Sequence, residues 1–328
     1  MSTVFGKCIV NEPGGPSAIE WVQETLSAPA DDEVSLQQEA ISVDFIDIQI
    51  RKGSMGLPLP TGLGFSAVGK VVAKGKQVTG LEVGDRVAYS HSVAGAYAEY
   101  RNIPADRAFR LPDQSLAPEV AAGALFRGLT AWYLATRMKP IAMGDTVLVH
   151  AAAGGVGLIL AQWLKHLGAT VIGVVRGADK QRLALQNGCA HAIDSSSEDF
   201  VERVKVLTDG RGVSIVFDSV GKDTFEASLD CLARFGLMVS YGWASGDIEP
   251  VSLPALRNRG SLFITRPTIS HYTAEASDFQ EGAAALFELM ASGAIQLTVG
   301  QTFALRDAGK AHEALASRGT VGSTVLVP

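Results

Sequence analysis

Between Val147 and Leu164 the chain reads VLVHAAAGGVGLILAQWL, eighteen residues in which only His150 and Gln162 are polar. That length and apolarity reach the threshold for a membrane-spanning helix. Gly154, Gly155 and Gly157, however, divide the run into a short β-branched piece and a helix-forming piece. A buried strand, a tight turn and a buried helix fit this pattern better than one continuous span. Ala152, Gly154 and Gly157 fall on the three small-residue positions of G-x-G-x-x-G. Small residues there let the backbone turn sharply and approach a pyrophosphate, whose charge meets the open N–H groups of the helix start. A turn kept small for packing alone is the alternative; a strand–turn–helix context favours dinucleotide binding.

That context extends along the chain. From Asp145 the sequence alternates TVLVH, VGLILAQWLKHLG, TVIGVV, DKQRLALQNG, HAID, a helix from Ser197 to Thr208, VSIVFDSVG, a helix near Phe225 to Ala233, GLMVSYG and SLFIT. Such alternation predicts a six-stranded parallel sheet with helices on both faces. Residues up to about 110 instead show short strand-like runs (VSLQQEAISV, SAVGKVVAKG, DRVAYS) between Gly and Pro turns, which predicts a β-rich domain. Its Gly- and Pro-rich segment 53–64 reads as a loop, either shaping a pocket or lying plainly on the surface. Ser115 can cap a helix over APEVAAGALFRGLTAWYLATR, with Pro118 and Glu119 in its first turn, and this marks the domain boundary. In the tail, SDFQEGAAALFELMASG and LRDAGKAHEALASRG read as amphipathic helices and STVLV as a strand expected to return to the first domain. Two domains suit 328 residues.

Charge excludes some partners. The 28 Lys+Arg against 34 Asp+Glu leave a net −6 with no run of like charge, which argues against nucleic acid or an anionic membrane. Cys8, Cys189 and Cys231 lie far apart without a C-x-x-C, so neither a disulfide framework nor a zinc knuckle is expected. A reducing, cytoplasmic setting fits, and the N-terminal residues lack the pattern of an export signal.

A dinucleotide site of the NAD type expects an acidic residue at the end of the second strand, to accept from the adenosine ribose 2′-OH. Here TVIGVV runs into Arg176-Gly177-Ala178-Asp179-Lys180. Two cations where a 2′-phosphate would sit predict NADPH over NADH; ordinary surface cations on an exposed loop are the alternative.

The motifs HAAAGGVG, FDSVG, RGLTAWYL, ITRPT, GGP, VGDRV and SRGTVGSTVLVP, together spanning nearly the whole chain, resemble the zinc-free quinone oxidoreductases (zeta-crystallin-like) of the medium-chain dehydrogenase/reductase superfamily. The resemblance implies an α/β fold with two parts. A GroES-like β-rich catalytic domain comes from 1–122 and 268–328, and a Rossmann doubly wound parallel sheet, residues 123–267, binds NADPH in a cleft between them. It also implies a homodimer and a small-molecule acceptor, a quinone or an enone. Zinc-dependent members carry a Cys ligand early in the first domain, a His-Glu pair some twenty residues on, and a lobe of four cysteines. The corresponding stretches here read Asp44-Phe45-Ile46-Asp47 and Gly62-Leu63-Gly64-Phe65-Ser66, so no metal site is expected.

By position, the resemblance puts the nicotinamide near Phe45, Ile46, Asp47 and on to Gln49, with Thr130 and Tyr133. It puts the pyrophosphate at Gly155 and Val156, between the motif glycines Gly154 and Gly157 that are counted with the cofactor site, and the 2′-phosphate at Arg176, Lys180 and Arg318. Ser195, Ser219, Tyr241, Gly242, Trp243, Ser245, Arg266 and Thr268 complete the cofactor set. Asp44, Gln49, Met55 and Arg127 are candidates for the acceptor pocket. Asp44 stands where relatives commonly have Asn, Gln49 and Met55 where Tyr is frequent, Ser195 where a Tyr often packs, and Trp243 where a small polar residue is common. These departures gather at the acceptor end.

A quinone is a strong acceptor, so the protein must chiefly hold donor and acceptor face to face and exclude water. Asp44 either assists protonation or caps a turn, and Arg127 either stabilises an oxyanion or pairs with a carboxylate. Quinone reduction leads the functional readings, reduction of a conjugated C=C bond follows, and an NADPH-binding protein with little catalysis is the reading from another class.

Overall fold

The apolar run divides at its glycines: Thr146–His150 is a strand and Gly155–His166 a helix. These belong to a computed structural model that describes residues 3–90, 93–112, 115–317 and 321–328. Among the described residues no helix is long and apolar enough to cross a membrane. The chain separates into two units, one of Met1–Leu129, Thr273–Glu288 and Leu297–Pro328, the other of Thr130–Tyr272 and Leu289–Gln296. The first division falls inside the helix Pro118–Thr136, where a continuous apolar helix gives no compositional signal, whereas the sequence reading puts it at 122/123. The second follows Tyr272 and not 267.

In the second unit six parallel strands form one sheet. Numbered in chain order they are Thr146–His150, Thr170–Val175, His191–Asp194, Val213–Asp218, Leu232–Ser240 and Phe263–Thr265, and they lie side by side as 3-2-1-4-5-6. Buried on both faces, these strands are near-continuous apolar runs; Val147, Leu148 and Val149 are fully buried. The order reverses between strands 1 and 4, and ligands of such sheets bind outside the carboxyl ends of the strands at that switch.

Two helices are shorter than periodicity suggests. The helix assigned from Ser197 begins at Phe200, because Asp199 takes the N-cap and accepts from Val201 and Glu202 N–H. The helix assigned to Ala233 ends at Leu229, because Leu232–Ser240 is drawn into the sheet against Val213–Asp218. Ser115 lies in a turn three residues ahead of Pro118, where its helix begins, so it is not the N-cap.

In the first unit the strand Glu33–Val43 is the hub of a seven-stranded sheet. It pairs antiparallel with Ser66–Lys74, with Tyr100–Pro104 and with the terminal strand Ser323–Val327, whose Thr324 lies opposite Val43. The tail thus closes the sheet immediately before the helix Phe45–Arg51, which the sequence reading did not anticipate. Leu36, Ile41, Val68 and Leu326, all fully buried, are among the residues that hold the interior of this unit.

Candidate functional site

Each unit carries its own group of candidate residues. In the second unit the chain leaves the first strand through Ala151, whose left-handed φ of 51° sharpens the turn. Gly154 is the N-cap of the helix Gly155–His166 and has no side chain to compete for the N–H groups of Gly155, Val156 and Gly157. A Cβ at Gly157 would lie 2.3 Å from the Ala151 carbonyl oxygen and 2.8 Å from Ala152 Cα, backbone atoms that cannot yield. At Gly154 it would lie 3.0 Å from the same oxygen. The turn is also pressed onto the second strand, where a Cβ on Gly173 would come within 2.8 Å of Ala152 Cβ. The motif needs Gly173 as much as its own glycines, which the local pattern does not reveal. This bare helix N-terminus fits a dinucleotide pyrophosphate.

At the ends of strands 2 and 3, Arg176 is exposed and Lys180 half-buried. The nearby acid, Asp179, pairs with Arg182 along its own helix. Asp194 accepts from Gly177 N–H at 2.8 Å and from Ser196, and these bonds, with the Arg176 charge, hold its carboxyl below the usual range. The Ser195 hydroxyl donates to Val175 O at 3.0 Å, so it organises the strand ends and has no proton left for a phosphate. Arg318 lies outside the described residues.

A second cluster forms past strands 4, 5 and 6. Buried Asp218 accepts from Val220 N–H at 2.7 Å, Gly221 N–H at 3.2 Å and Thr224 Oγ1 at 2.8 Å, fixing the turn that carries Ser219. Gly242 meets that turn so closely that a Cβ would stand 2.4 Å from Ser219 O. Ser245 Oγ donates to Val220 O at 2.8 Å, locking the two loops together. Arg266 donates to Ser240 O at 2.7 Å and lies 4.8 Å above the Trp243 ring, and burial lowers its pKa. Tyr133 stacks on Tyr272 with centroids 4.6 Å apart, and burial raises its phenol. Thr130 is buried, and Thr268 Oγ1 lies 3.3 Å from Ser270 Oγ. Ser219, Tyr133 and residues 241–245 thus line the carboxyl side of the sheet near its switch point.

In the first unit Asp44 and Asp47 form a reciprocal capping box at the start of the helix Phe45–Arg51. Arg127 Nη2 lies 3.1 Å from the Asp44 carboxylate, both side chains being almost wholly buried. The same guanidinium donates to Ser42 Oγ at 3.1 Å, Gly123 O at 2.9 Å and Val43 O at 2.6 Å. Asp44 therefore caps a turn and Arg127 pairs with a carboxylate. Asp47 is 1% exposed and accepts from Asp44 N–H, Gly64 N–H and Tyr97 OH at 2.9, 3.2 and 3.0 Å. Both its oxygens are engaged within this unit, so it positions the helix and does not reach a ligand. Burial, then the Asp44 charge, pushes its carboxyl up to about 7.

Tyr97 OH also lies 3.0 Å from His312 Nε2. With the phenol proton given to Asp47, Nε2 carries the imidazole proton and donates to the phenol oxygen. Burial, then the Arg51 charge, brings His312 down to about 3. Sequence reasoning missed Tyr97 and His312, which are 215 positions apart; the D-x-x-D spacing of Asp44 and Asp47 was a legible cap signal. Phe45, Leu57 and Leu59 are exposed, Ile46 and Gln49 half-buried, and Met55 packs against the core. Phe65 stacks on Phe126, next to Arg127, with centroids 6.1 Å apart.

Among the described residues no three His, Cys, Asp or Glu side chains gather as metal ligands. Cys8, Cys189 and Cys231 are buried with thiols pushed up to about 12, and His312 and His150 are engaged with Tyr97 and Ser228, so this donor set does not fit zinc.

Two known families match the chain. The alcohol dehydrogenase GroES-like domain family matches residues 30–113 and the zinc-binding dehydrogenase family residues 155–288. A quinone oxidoreductase of Salmonella typhimurium is 46% identical over 318 residues, covering 96% of this chain and 97% of that protein. A 2-haloacrylate reductase of Burkholderia sp is 41% identical over 327 residues, 98% of each. The crystal structure of Escherichia coli quinone oxidoreductase complexed with NADPH superposes with a TM-score of 0.95 at 44% identity, covering 98% of this chain and 100% of that one.

Proposed function

The chain belongs to the quinone oxidoreductase family of the medium-chain dehydrogenase/reductase superfamily, and from that premise we propose that it passes reducing equivalents from NADPH to a quinone without zinc. The observation that carries this reading is the glycine turn, whose Gly157 leaves no room for a Cβ and whose helix start is open to a pyrophosphate. NADPH, when bound, supplies the hydride. Gly154 to Gly157 hold the pyrophosphate in this reading, and Arg176 with Lys180 hold the 2′-phosphate. Ser219, Tyr241 to Ser245, Arg266 and Thr268 line the rest of the cofactor, with Thr130 and Tyr133 towards the nicotinamide. The helix opening at Asp44 and Phe45, with Gln49, faces the acceptor. Steady-state NADPH oxidation with benzoquinone, naphthoquinone and phenanthrenequinone tests the reading; no turnover above the uncatalysed rate overturns it.

The likeness to a 2-haloacrylate reductase supports a second reading, reduction of a conjugated C=C bond. Saturated product from an enone panel, with quinones left unreduced, would replace the first reading by the second. We also propose a homodimer, because the edge strand Phe263–Thr265 exposes Phe263 at 61% and nearby Leu253 at 79%. A monomer mass by light scattering would refute it. Three buried free thiols support a cytoplasmic setting.

A further inference from the structure

We propose that Asp44, by neutralising Arg127, makes the acceptor site select uncharged acceptors over anionic ones. The inference rests on the reading that places the acceptor at the opening of the helix Phe45–Arg51. The helix opens on an exposed aromatic, Phe45, 40% accessible, and the side chain next to Arg127, Phe126, stacks on Phe65, both half-buried. The cation at the start of this helix is Arg127, and it is fully committed. Ser42 Oγ, Gly123 O and Val43 O fix its guanidinium, and Asp44 cancels its charge. The groups in contact with Asp44 from the same cluster, the Asp47 carboxyl and through it the Tyr97 phenol, add no positive charge. Arg51, at the other end of the helix, is buried, and its charge is felt by Tyr97, Glu313 and His312.

A carboxylate or sulfonate brought here would lose hydration and gain no counter-charge, whereas a neutral quinone or ester would lose little. Arg127 would keep its place without Asp44, because three of its partners are backbone carbonyls or Ser42. Asp44→Asn therefore uncovers one positive charge in a partly desolvated setting while retaining a good N-cap. One unit charge at that range shifts relative affinity about tenfold.

The test compares 1,2-naphthoquinone with its 4-sulfonate, and methyl 2-chloroacrylate with 2-chloroacrylate, in the wild type and in Asp44→Asn. Both proteins are measured at the same pH and ionic strength. Two readouts are taken: kcat/KM with NADPH, and equilibrium binding of each naphthoquinone by tryptophan quenching without cofactor. The wild type should prefer the neutral member at least tenfold, and Asp44→Asn should shrink that preference about tenfold in both readouts. A preference equal in the two proteins, or a wild type that favours the anion, overturns the inference alone. No turnover of either pair by the wild type overturns the functional reading and this inference with it.

Discussion

The glycine turn and the Asp47–Tyr97–His312 cluster are both tightly built, but from different materials. The turn is made of backbone. Its constraint is what cannot be present, a Cβ on Gly157 or Gly173, and every partner lies within the strands and helix that follow one another in the chain. The cluster is made of side chains from three separated segments, and its constraint is mutual satisfaction: one phenol serves a carboxylate and an imidazole at once. A backbone site fails by exclusion and should fail abruptly. A shared-proton site should fail by degrees, with pH.

The sharpest break of that contrast is Gly157→Val. Its Cβ would meet the Ala151 carbonyl, so NADPH affinity, read by the cofactor's fluorescence, should fall at least 100-fold. The same titration applied to Arg176→Ala/Lys180→Ala should weaken NADPH about 10- to 100-fold and NADH little, the worth of one or two charge-assisted bonds. Equal weakening of both cofactors would detach these cations from the 2′-phosphate. Tyr97→Phe should lower stability by about 2 kcal/mol, because Asp47 and His312 lose their common partner in a buried place, and should leave NADPH affinity unchanged.

The smallest effect concerns pH. Asp47, raised to about 7, keeps its proton in the fold and loses it on unfolding, so its contribution falls as pH rises from about 4 to 7. His312, lowered to about 3, is neutral in the fold and charged on unfolding below about 6.5, so its contribution grows as pH rises from 3 to 6.5. The two slopes oppose each other across most of the same range. Urea midpoints between pH 4.5 and 6.5 should therefore change less in the wild type than in His312→Gln. The wild type should gain on that variant as pH rises; a gain on acidification would contradict the neutral imidazole.

The same contrast explains what could be read beforehand. The six strands and helices of the parallel sheet, the glycine turn and the returning tail were legible because each rests on local hydropathy or on a strand left without a partner, whereas the lateral order of the strands was not. The helix Phe45–Arg51 was masked by the apolar strand before it, although Asp44 and Asp47 spelled its cap. Tyr97 and His312 had no local signal at all, since only the folded sheet brings residue 97 to residue 312. For Arg127 the sequence left two roles open, and the partners that fix it, Ser42 Oγ, Gly123 O and Val43 O, come together only in the fold.

The pairing of Ser323–Val327 with Glu33–Val43 also sets an order of events. As the chain emerges from the ribosome, residues 130–272 hold all six strands of their sheet and can condense as soon as they are made. Val43 waits longer, because its partner Thr324 is made only after residues 130–272. The strand that leads into helix Phe45–Arg51 and its buried aspartates therefore gains its last neighbour after the six-stranded sheet can form.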